Sequence, residues 1–383
     1  MFEFLKPVSK SIIDFVEGLH EHSLGKNTLF NDGVNEVDFS NGDVVLLSVP
    51  EVRNVVGDEL SVPNFDEVRK ELYQLMLGNW DLRLIDLGEI VPGNVIGDTY
   101  YAVSSIVADL LNLGVLPIVL GGGNDLVYPL YRSFDDFKKG VNLVNMDSHF
   151  DIGNIELPIS SKSYIGKVIM DPPYNLLNFT NIGYQSYYVS PEEKDLVQKL
   201  FFEAYRLGEI TSNFKKVESL VRNADLISLD LNSVAGILQN GAPNGFSTRE
   251  VCSLARYSGL SDQVSIFGIF EYDNKKTNFI AKSLVAQIIW YYIEGVSLRW
   301  NEKVNEDKSN LIHYNVPLNE EVYSFYKSKI TGRWWMEIDY LTDENNILTK
   351  KTLLPCDYED YANACNNLLT ERWYNAKKRH EML

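Results

Sequence analysis

Short apolar runs alternate with amphipathic stretches along most of the chain. Each run is nearly continuous in apolar residues, which is typical of a strand buried on both faces of a parallel sheet. The predicted strands cover residues 43–50, 82–87, 116–120, 142–151, 179–184, 225–230 and 265–272. The predicted helices cover residues 65–77, 98–113, 191–206, 213–222, 248–257 and 279–298. This alternation predicts an α/β fold of three layers, α/β/α, around a parallel sheet of about eight strands.

The two ends of the chain do not follow this alternation. Residues 1–42 predict an N-terminal helical leader, and residues 43–299 form the predicted α/β domain. Residues 300–383 are dense in aromatic side chains and predict a C-terminal extension that packs on the domain or on a neighbouring subunit. Within this extension we expect a loop, a short helix, a hairpin around residues 343–346 and a final helix over residues 358–378.

The composition narrows the class of protein without identifying a partner. With 45% hydrophobic and 23% charged residues, the 383-residue chain is typical of a globular protein. Its net charge of −18 argues against nucleic-acid and anionic-membrane surfaces, which require clustered Lys and Arg. The most apolar long stretch, residues 279–298, contains charged side chains and favours a buried helix over a membrane span. No secretory signal is recognisable, and the three cysteines form no ligand motif, so we expect a reduced, cytoplasmic protein.

The candidate chemistry begins in the fourth predicted strand, which ends in the sequence D-S-H-F-D. Asp147, His149 and Asp151 occupy every second position there. Alternate side chains of an extended strand point the same way, so this spacing predicts two carboxylates and an imidazole on one face. Such a set at the end of a buried strand favours a divalent-metal site. Taken alone, the motif is equally compatible with ordinary turn and cap residues.

Two further strand ends carry polar residues of the same kind. Asn124 and Asp125 follow three consecutive glycines. Asp230 and Asn232 form a second pair, and they lie two positions apart in the sequence. In a parallel sheet these strand ends lie along one edge, where open α/β folds build their sites. The glycines are not a phosphate-binding loop, because no G-K-[ST] follows them.

This ordered set of motifs resembles the ureohydrolase superfamily, which includes arginase, agmatinase and formimidoylglutamase. The family motifs G-G-[DG]-H-[SE], D-A-H-x-D and S-x-D-x-D are similar to residues 121–125, 147–151 and 228–232 of this chain. The third glycine and the long C-terminal extension favour the formimidoylglutamase-like branch. The resemblance implies an arginase-like fold, a homo-oligomer such as a trimer or hexamer, and two Mn²⁺ ions. In that family the ions share a hydroxide that attacks an amidine or guanidine carbon.

The resemblance implies a role for each matching residue of this chain. Asp147 and His149 are the candidate catalytic residues, and Asn124 and Glu271 are the candidate substrate-binding residues. Glu271 matches the acidic residue that holds the guanidinium or amidine group, although it could equally pair with Lys275. The candidate metal ligands are Asp147, His149, Asp151 and Asp230, with Asn124 and Asn232 at two altered ligand positions.

The chain departs from the family pattern at three places. Asn124 stands where a metal-binding histidine is expected, and Asn232 replaces an aspartate. A neutral amide binds a hard cation much more weakly than a carboxylate does. The loop over residues 153–167 lacks the proton-shuttling histidine of the family, and Ser160, Ser161 and Lys162 are not evident replacements. We therefore expect one weakly bound Mn²⁺ ion, or none.

These departures leave several hypotheses open. The leading one is a ureohydrolase-fold pseudoenzyme that binds a small amidine or guanidine ligand or a protein partner. The alternative is an active metal-dependent hydrolase that cleaves a non-peptide C–N bond in a linear amidine, such as formimidoylglutamate, with one metal or a re-liganded site. A purely structural subunit with a vestigial pocket is the third.

Overall fold

The computed structural model describes residues 2–57, 61–137, 140–237, 243–275, 279–318, 321–341 and 349–382. The largest feature is a ten-stranded sheet. Its strands are β1 (Leu5–Lys6), β2 (Thr28–Phe30), β3 (Val44–Val49), β4 (Leu84–Ile90), β5 (Leu116–Gly121), β6 (Val141–Met146), β7 (Leu176–Tyr184), β8 (Glu203–Arg206), β9 (Leu226–Asp230) and β10 (Ile266–Phe270). Their order across the sheet is β1-β4-β3-β5-β10-β9-β6-β7-β8, and β2 also pairs with β4. The eight strands from β4 to β8 are parallel, which confirms the predicted sheet.

Helices cover both faces of this sheet. They are α1 (Lys10–Glu17), α2 (Asp66–Tyr73), α3 (Ile96–Asn112), α4 (Val127–Arg132), α5 (Tyr164–Met170), α6 (Pro191–Lys199), α7 (Leu207–Ser212), α8 (Lys216–Val221), α9 (Thr248–Leu260) and α10 (Phe279–Ser297). Helices α3 to α6 pack on one face, and the other six pack on the opposite face. Along β3, Val44 and Leu46 enter one core while Val45 and Leu47 enter the other. The three predicted layers are therefore present.

Local sequence signals explain where the element after β7 begins and ends. Ser190 caps α6 by accepting a hydrogen bond from the Glu193 backbone N–H, and Pro191 is the first helical residue. The predicted helix over residues 191–206 is too long, because α6 ends at Lys199 and the last four residues form β8. Phe201, with φ of +56°, turns the chain between the two elements.

The leader and the long apolar stretch both pack against the α/β core. Residues 1–42 contain α1 as expected, but they also contribute β1 and β2, which pair with β4 at the sheet margin. The apolar stretch over residues 279–298 forms α10, which packs against α9 and α2. No helix within the described residues has the length and apolar character needed to cross a membrane.

The C-terminal extension forms a second, smaller sheet. Its elements are β11 (Leu311–Leu318), β12 (Glu321–Ser328), β13 (Trp334–Leu341), β14 (Thr349–Cys356), α11 (Tyr358–Cys365) and α12 (Glu371–Met382). The four strands are antiparallel in chain order, and side chains at alternate positions, such as Trp334, Met336 and Ile338, fill a separate core. This period of two is the signature of strands.

Two expectations for the extension were wrong. The short helix does not occur within the described residues 300–318 and 321–341, where β11, β12 and β13 lie instead. The final helix is divided into α11 and α12, because the chain turns at Asn367, whose φ is +63°. Asparagine tolerates this left-handed conformation better than most residues. The hairpin turn predicted around residues 343–346 lies outside the described residues.

Candidate metal centre

The carboxyl ends of β5, β10, β9 and β6 carry the polar residues of the candidate site. These four strands are neighbours in the middle of the sheet, so the residues that follow them meet at one edge. Asp230 is the last residue of β9, Glu271 directly follows β10, and Asp147 directly follows β6. Asn124 follows β5 after the three glycines. The structure thus brings residues of all three sequence motifs together.

Three aspartates form the centre of this site. Asp147, Asp151 and Asp230 are buried, and one carboxylate oxygen from each lies within 4.8 Å of those of the other two. Asp147 Oδ2 and Asp151 Oδ2 are buried without any hydrogen-bond partner. Buried carboxylate oxygens without a partner are costly unless a cation satisfies them. This donor set fits one hard divalent cation such as Mn²⁺ or Mg²⁺.

The backbone reaches this arrangement by a turn rather than by the extended strand expected from the sequence. Strand β6 ends at Met146, residues 147–149 form a bend, and Asp151 has φ of +51°. The left-handed conformation costs energy for a non-glycine residue and is found mainly where the surrounding structure requires it. The Asp151 carbonyl accepts a hydrogen bond from the Ile165 N–H at 3.1 Å, which fixes the turn against α5. The expectation that residues 147–151 alternate across one strand is therefore wrong.

His149 lies at the margin of the aspartates rather than among them. Its Nδ1 atom is 3.0 Å from Ser148 Oγ and 3.7 Å from Asp147 Oδ1. The ring stacks on Tyr188 with centroids 4.6 Å apart, and 30% of the side chain stays exposed. The group of side chains close enough to share one cation contains the three aspartates and not this imidazole.

The two asparagines at the altered positions donate hydrogen bonds to carboxylates. Asn124 Nδ2 donates to Asp230 Oδ2 at 2.9 Å, and Asn232 Nδ2 donates to Glu271 Oε2 at 3.3 Å. The Asn232 backbone N–H also donates to Asp230 Oδ1 at 2.6 Å. Asn124 Oδ1, by contrast, is buried without a partner. In this arrangement the amides use lone pairs of Asp230 and Glu271 that a second cation would need.

Glu271 is held in the site by the glycines at the end of β5. Its backbone N–H donates to the Gly122 carbonyl at 2.6 Å, and its Oε1 accepts from the Asn124 N–H at 3.1 Å. Gly122 lies so close to Glu51 that an added Cβ would be 2.1 Å from the Glu51 carbonyl oxygen. Only glycine fits there. Lys275, the alternative partner expected for Glu271, is exposed, and the two form no ion pair within the described part of the chain.

Electrostatics in the site follow from placing several carboxylates together. Burial, followed by the charge of Asp147, raises the pKa of Asp230 well above its ordinary value, and burial likewise raises the pKa of Asp151. The pKa of Asp147 is lowered: burial opposes this shift, but the nearby His149 side chain and the charge of Lys162 outweigh it. Without added positive charge the cluster therefore disfavours full ionisation.

Lys162 reaches the aspartates from the loop after Asp151. Its Nζ atom is 3.4 Å from Asp151 Oδ1. Burial alone would lower the pKa of Lys162, but nearby carboxylates, first Asp151 and then Asp147, raise it. From the sequence, Lys162 was considered only as a replacement for the missing loop histidine, and not an evident one. Its approach to Asp151 could not be found there, because it depends on the path of the loop.

Asp125 does not substitute for a missing ligand. It points away from the aspartates, and its Oδ2 accepts a hydrogen bond from the Tyr100 hydroxyl at 2.5 Å. Burial raises the pKa of Asp125 to about 7. Neither this contact nor that of Asn54 with the Tyr100 hydroxyl, at 2.9 Å, was foreseen from the sequence.

Comparison with known proteins agrees with this geometry. The model of the arginase family matches residues 64–293, which is more than half of the chain. Formimidoylglutamase from Rhodococcus jostii is 30% identical over 105 residues, which cover 26% of this chain and 32% of that protein. The chain spans half or less of the length of the curated relatives it matches.

Solved structures share the fold. Formiminoglutamase from Trypanosoma cruzi with Mn²⁺ has a TM-score of 0.59 and 18% identity, and covers 67% of this chain and 94% of its own. A variant of that protein in which histidine replaces an asparagine, also solved with Mn²⁺, has a TM-score of 0.59 and 17% identity, and covers 75% of this chain and 98% of its own. Likeness at these identities establishes the fold alone, whereas the family match covers most of the α/β domain. The chain belongs to the arginase family.

Proposed function

We propose that this protein is a ureohydrolase-fold protein that holds one divalent cation, binds a small amidine or guanidine ligand, and is impaired in two-metal hydrolysis. The observation that carries this proposal is the use of the asparagine amides. Asn124 and Asn232 stand at the altered ligand positions, and both turn their N–H groups toward carboxylates. An N–H group cannot bind a cation, so these contacts remove donors from a second metal position.

One cation position keeps carboxylate oxygens that are available as ligands. Asp147 Oδ2 and Asp151 Oδ2 lack partners, and Asp230 lies within the same group. When bound there, a divalent cation would lower the pKa of a coordinated water and polarise a C=N or C=O group. His149 stacks on Tyr188 and lies beside Asp147, so it contributes a weak ligand at most.

Glu271 supplies the ligand-binding half of the proposal. It is 5% exposed, and its two oxygens are oriented by the Asn124 backbone N–H and the Asn232 amide. A fixed carboxylate binds a planar amidinium or guanidinium through charge-assisted hydrogen bonds. The role of Glu271 is therefore to hold the cationic head of the ligand near the aspartates.

A second candidate is an active hydrolase of a linear amidine such as formimidoylglutamate. One observation favours it: Asn124 Oδ1 is buried and free, so a rotated amide would offer an oxygen to a cation. The T. cruzi formiminoglutamase has also been solved with Mn²⁺ both as itself and as the variant in which an asparagine becomes histidine. If that asparagine corresponds to Asn124, a neutral amide at this position is compatible with a loaded centre.

Metal content and turnover together separate the two candidates. The purified protein is incubated with excess Mn²⁺, desalted and analysed by inductively coupled plasma mass spectrometry, and then assayed with arginine, agmatine and formimidoylglutamate. We expect about one Mn²⁺ per chain, no turnover, and loss of the ion in Asp147→Ala. About two Mn²⁺ per chain with turnover of any of the three substrates would overturn the proposal in favour of the hydrolase.

A further inference from the structure

The loop that carries Lys162 is fixed at several points. The Ser161 N–H donates to the Asn54 carbonyl at 2.9 Å, and Ser161 Oγ accepts from the Val56 N–H at 3.1 Å. Ser160 Oγ and Ser163 Oγ are 2.9 Å apart and bridge the turn around Lys162. These contacts hold the backbone of Lys162 beside the site. The conformational entropy lost when the side chain pairs with Asp151 is therefore small.

Lys162 is the more exposed member of its ion pair with Asp151. The lysine side chain is 37% exposed, whereas that of Asp151 is 2% exposed. The ammonium therefore forms an ion pair with a carboxylate that is itself almost fully buried. Its pKa is raised by Asp151, Asp147, Asp230 and Glu271, in that order, against the opposing effect of burial. The lysine charge therefore interacts with all four carboxylates.

The net charge of the site determines which ions and ligands it can bind. Asp147, Asp151, Asp230 and Glu271 carry four negative charges when ionised. The lysine offsets one and a divalent cation offsets two, which leaves one negative charge for a ligand. A second divalent cation would turn the balance positive and would repel an amidinium or guanidinium.

We propose that the Lys162 ammonium is a fixed cation of this centre, which excludes a second divalent ion and leaves one negative charge for a monocationic amidine or guanidine. This inference rests on the proposed function, because it explains why one cation suffices. It assigns to Lys162 part of the charge compensation that a second metal ion would provide.

The test compares Mn²⁺ binding by three variants of the full chain. Lys162→Met removes the charge and retains much of the aliphatic bulk, and Lys162→Arg retains the charge. Lys167→Met is the matched control, because Lys167 lies five positions away and donates to the Ile155 carbonyl at 2.7 Å rather than to the aspartates. Stoichiometry and affinity are measured by equilibrium dialysis with elemental analysis, and thermal unfolding is followed with and without Mn²⁺.

We expect Lys162→Met to bind Mn²⁺ at least about tenfold more tightly or to acquire a second ion, because a repelling charge has been removed. Without metal the variant should melt at a lower temperature than the wild type, and Mn²⁺ should raise its melting temperature more. Lys162→Arg and Lys167→Met should retain the wild-type stoichiometry and affinity. A methionine variant with unchanged or weaker Mn²⁺ binding would overturn the inference.

The outcomes also separate this inference from the proposed function. If the wild type holds one ion and Lys162→Met behaves identically, the role of Lys162 fails and the one-cation centre stands. If the wild type holds two ions with Lys162 in place, both fail. If the wild type holds none and Lys162→Met gains one, the lysine excludes the first ion rather than a second, and both fail as stated.

Discussion

Two groups of buried carboxylates in this molecule have opposite surroundings. Glu203 on β8 accepts hydrogen bonds from Arg372 Nε at 2.8 Å and from Arg379 Nη2 at 2.9 Å, both arginines belonging to α12. Asp147 and Asp151, at the carboxyl edge of the same sheet, each keep one oxygen without a partner. All three acids are less than 5% exposed, so burial alone does not distinguish them.

The pKa values of the two groups differ in the same sense as their contacts. Burial opposes ionisation of Glu203, but the charges of Arg372 and Arg379 outweigh it and lower its pKa to about 2. Burial raises the pKa of Asp151, and the nearby Asp147 charge adds to that effect. The first group is electrostatically complete and fastens the C-terminal extension to the α/β domain. The second is incomplete, and an incomplete buried cluster is where a ligand or cation belongs.

The strongest way to break this comparison is Glu203→Gln. The substitution removes the buried carboxylate that Arg372 and Arg379 share, so we expect the free energy of unfolding to fall by about 3–5 kcal/mol. Urea denaturation followed by circular dichroism measures it. Glu209→Gln is the control: Glu209 is exposed and pairs with Lys216 at 3.6 Å, so its loss should cost less than about 1 kcal/mol. A similar effect for the two variants would contradict the comparison.

The acid sensitivity of the Glu203 group should follow from its lowered pKa. In the unfolded chain Glu203 has the ordinary glutamate pKa of 4.5, whereas in the folded protein its pKa is about 2. Its contribution to stability is therefore complete above about pH 4.5 and is lost as the pH falls toward 2, by on the order of 3 kcal/mol. Stability differences between the wild type and Glu203→Gln, measured from pH 6 to pH 3, should decrease on acidification. A constant difference would exclude this linkage.

The comparison also separates what the sequence reveals from what it conceals. Continuous apolar runs predicted the parallel strands correctly, because a strand buried on both faces has no polar alternate positions. Strand β8 was missed since its four residues, E-A-Y-R, contain a buried glutamate whose charged partners, Arg372 and Arg379, lie far away in the sequence. Of the C-terminal sheet, the sequence predicted only the hairpin around residues 343–346, which the antiparallel strands β13 and β14 flank. The other strands were missed although the sheet repeats apolar residues with a period of two, as in Trp334, Met336 and Ile338.

At the candidate site, the sequence predicted that three aspartates lie close together but not how the chain arranges them. The motifs placed Asp147, Asp151 and Asp230 at one sheet edge because parallel strands end together. The left-handed turn at Asp151 and the stacking of His149 on Tyr188 depend on packing between distant segments. Neither feature can be inferred from the spacing of residues in the sequence.

The smallest expected effect is an increase in the free energy of unfolding, and it concerns the aspartates of the candidate metal centre. Asp230→Asn removes one charge from the cluster and retains the shape of the side chain. Its one amide oxygen can accept from Asn124 or from the Asn232 N–H, so one of these two hydrogen bonds is lost. Without metal, we expect this variant to be more stable than the wild type by up to about 1 kcal/mol, because the relief of repulsion with Asp147 outweighs the lost hydrogen bond. Denaturant unfolding in the presence of a chelator measures the gain, with Asp14→Asn, at an exposed position of α1, as the unchanged control.

Added Mn²⁺ should reverse this order. At a free concentration one hundred times its dissociation constant, the ion stabilises the wild type by about 2.7 kcal/mol, and Asp230→Asn should lose most of that increment together with its ligand. If the variant is less stable than the wild type even without metal, the charges of the aspartates are already compensated inside the protein. The aspartates and Glu203 would then differ only in how fully their charges are compensated. A variant that gains stability without metal and fails to respond to Mn²⁺ would identify the cluster as a site maintained at the expense of folding stability.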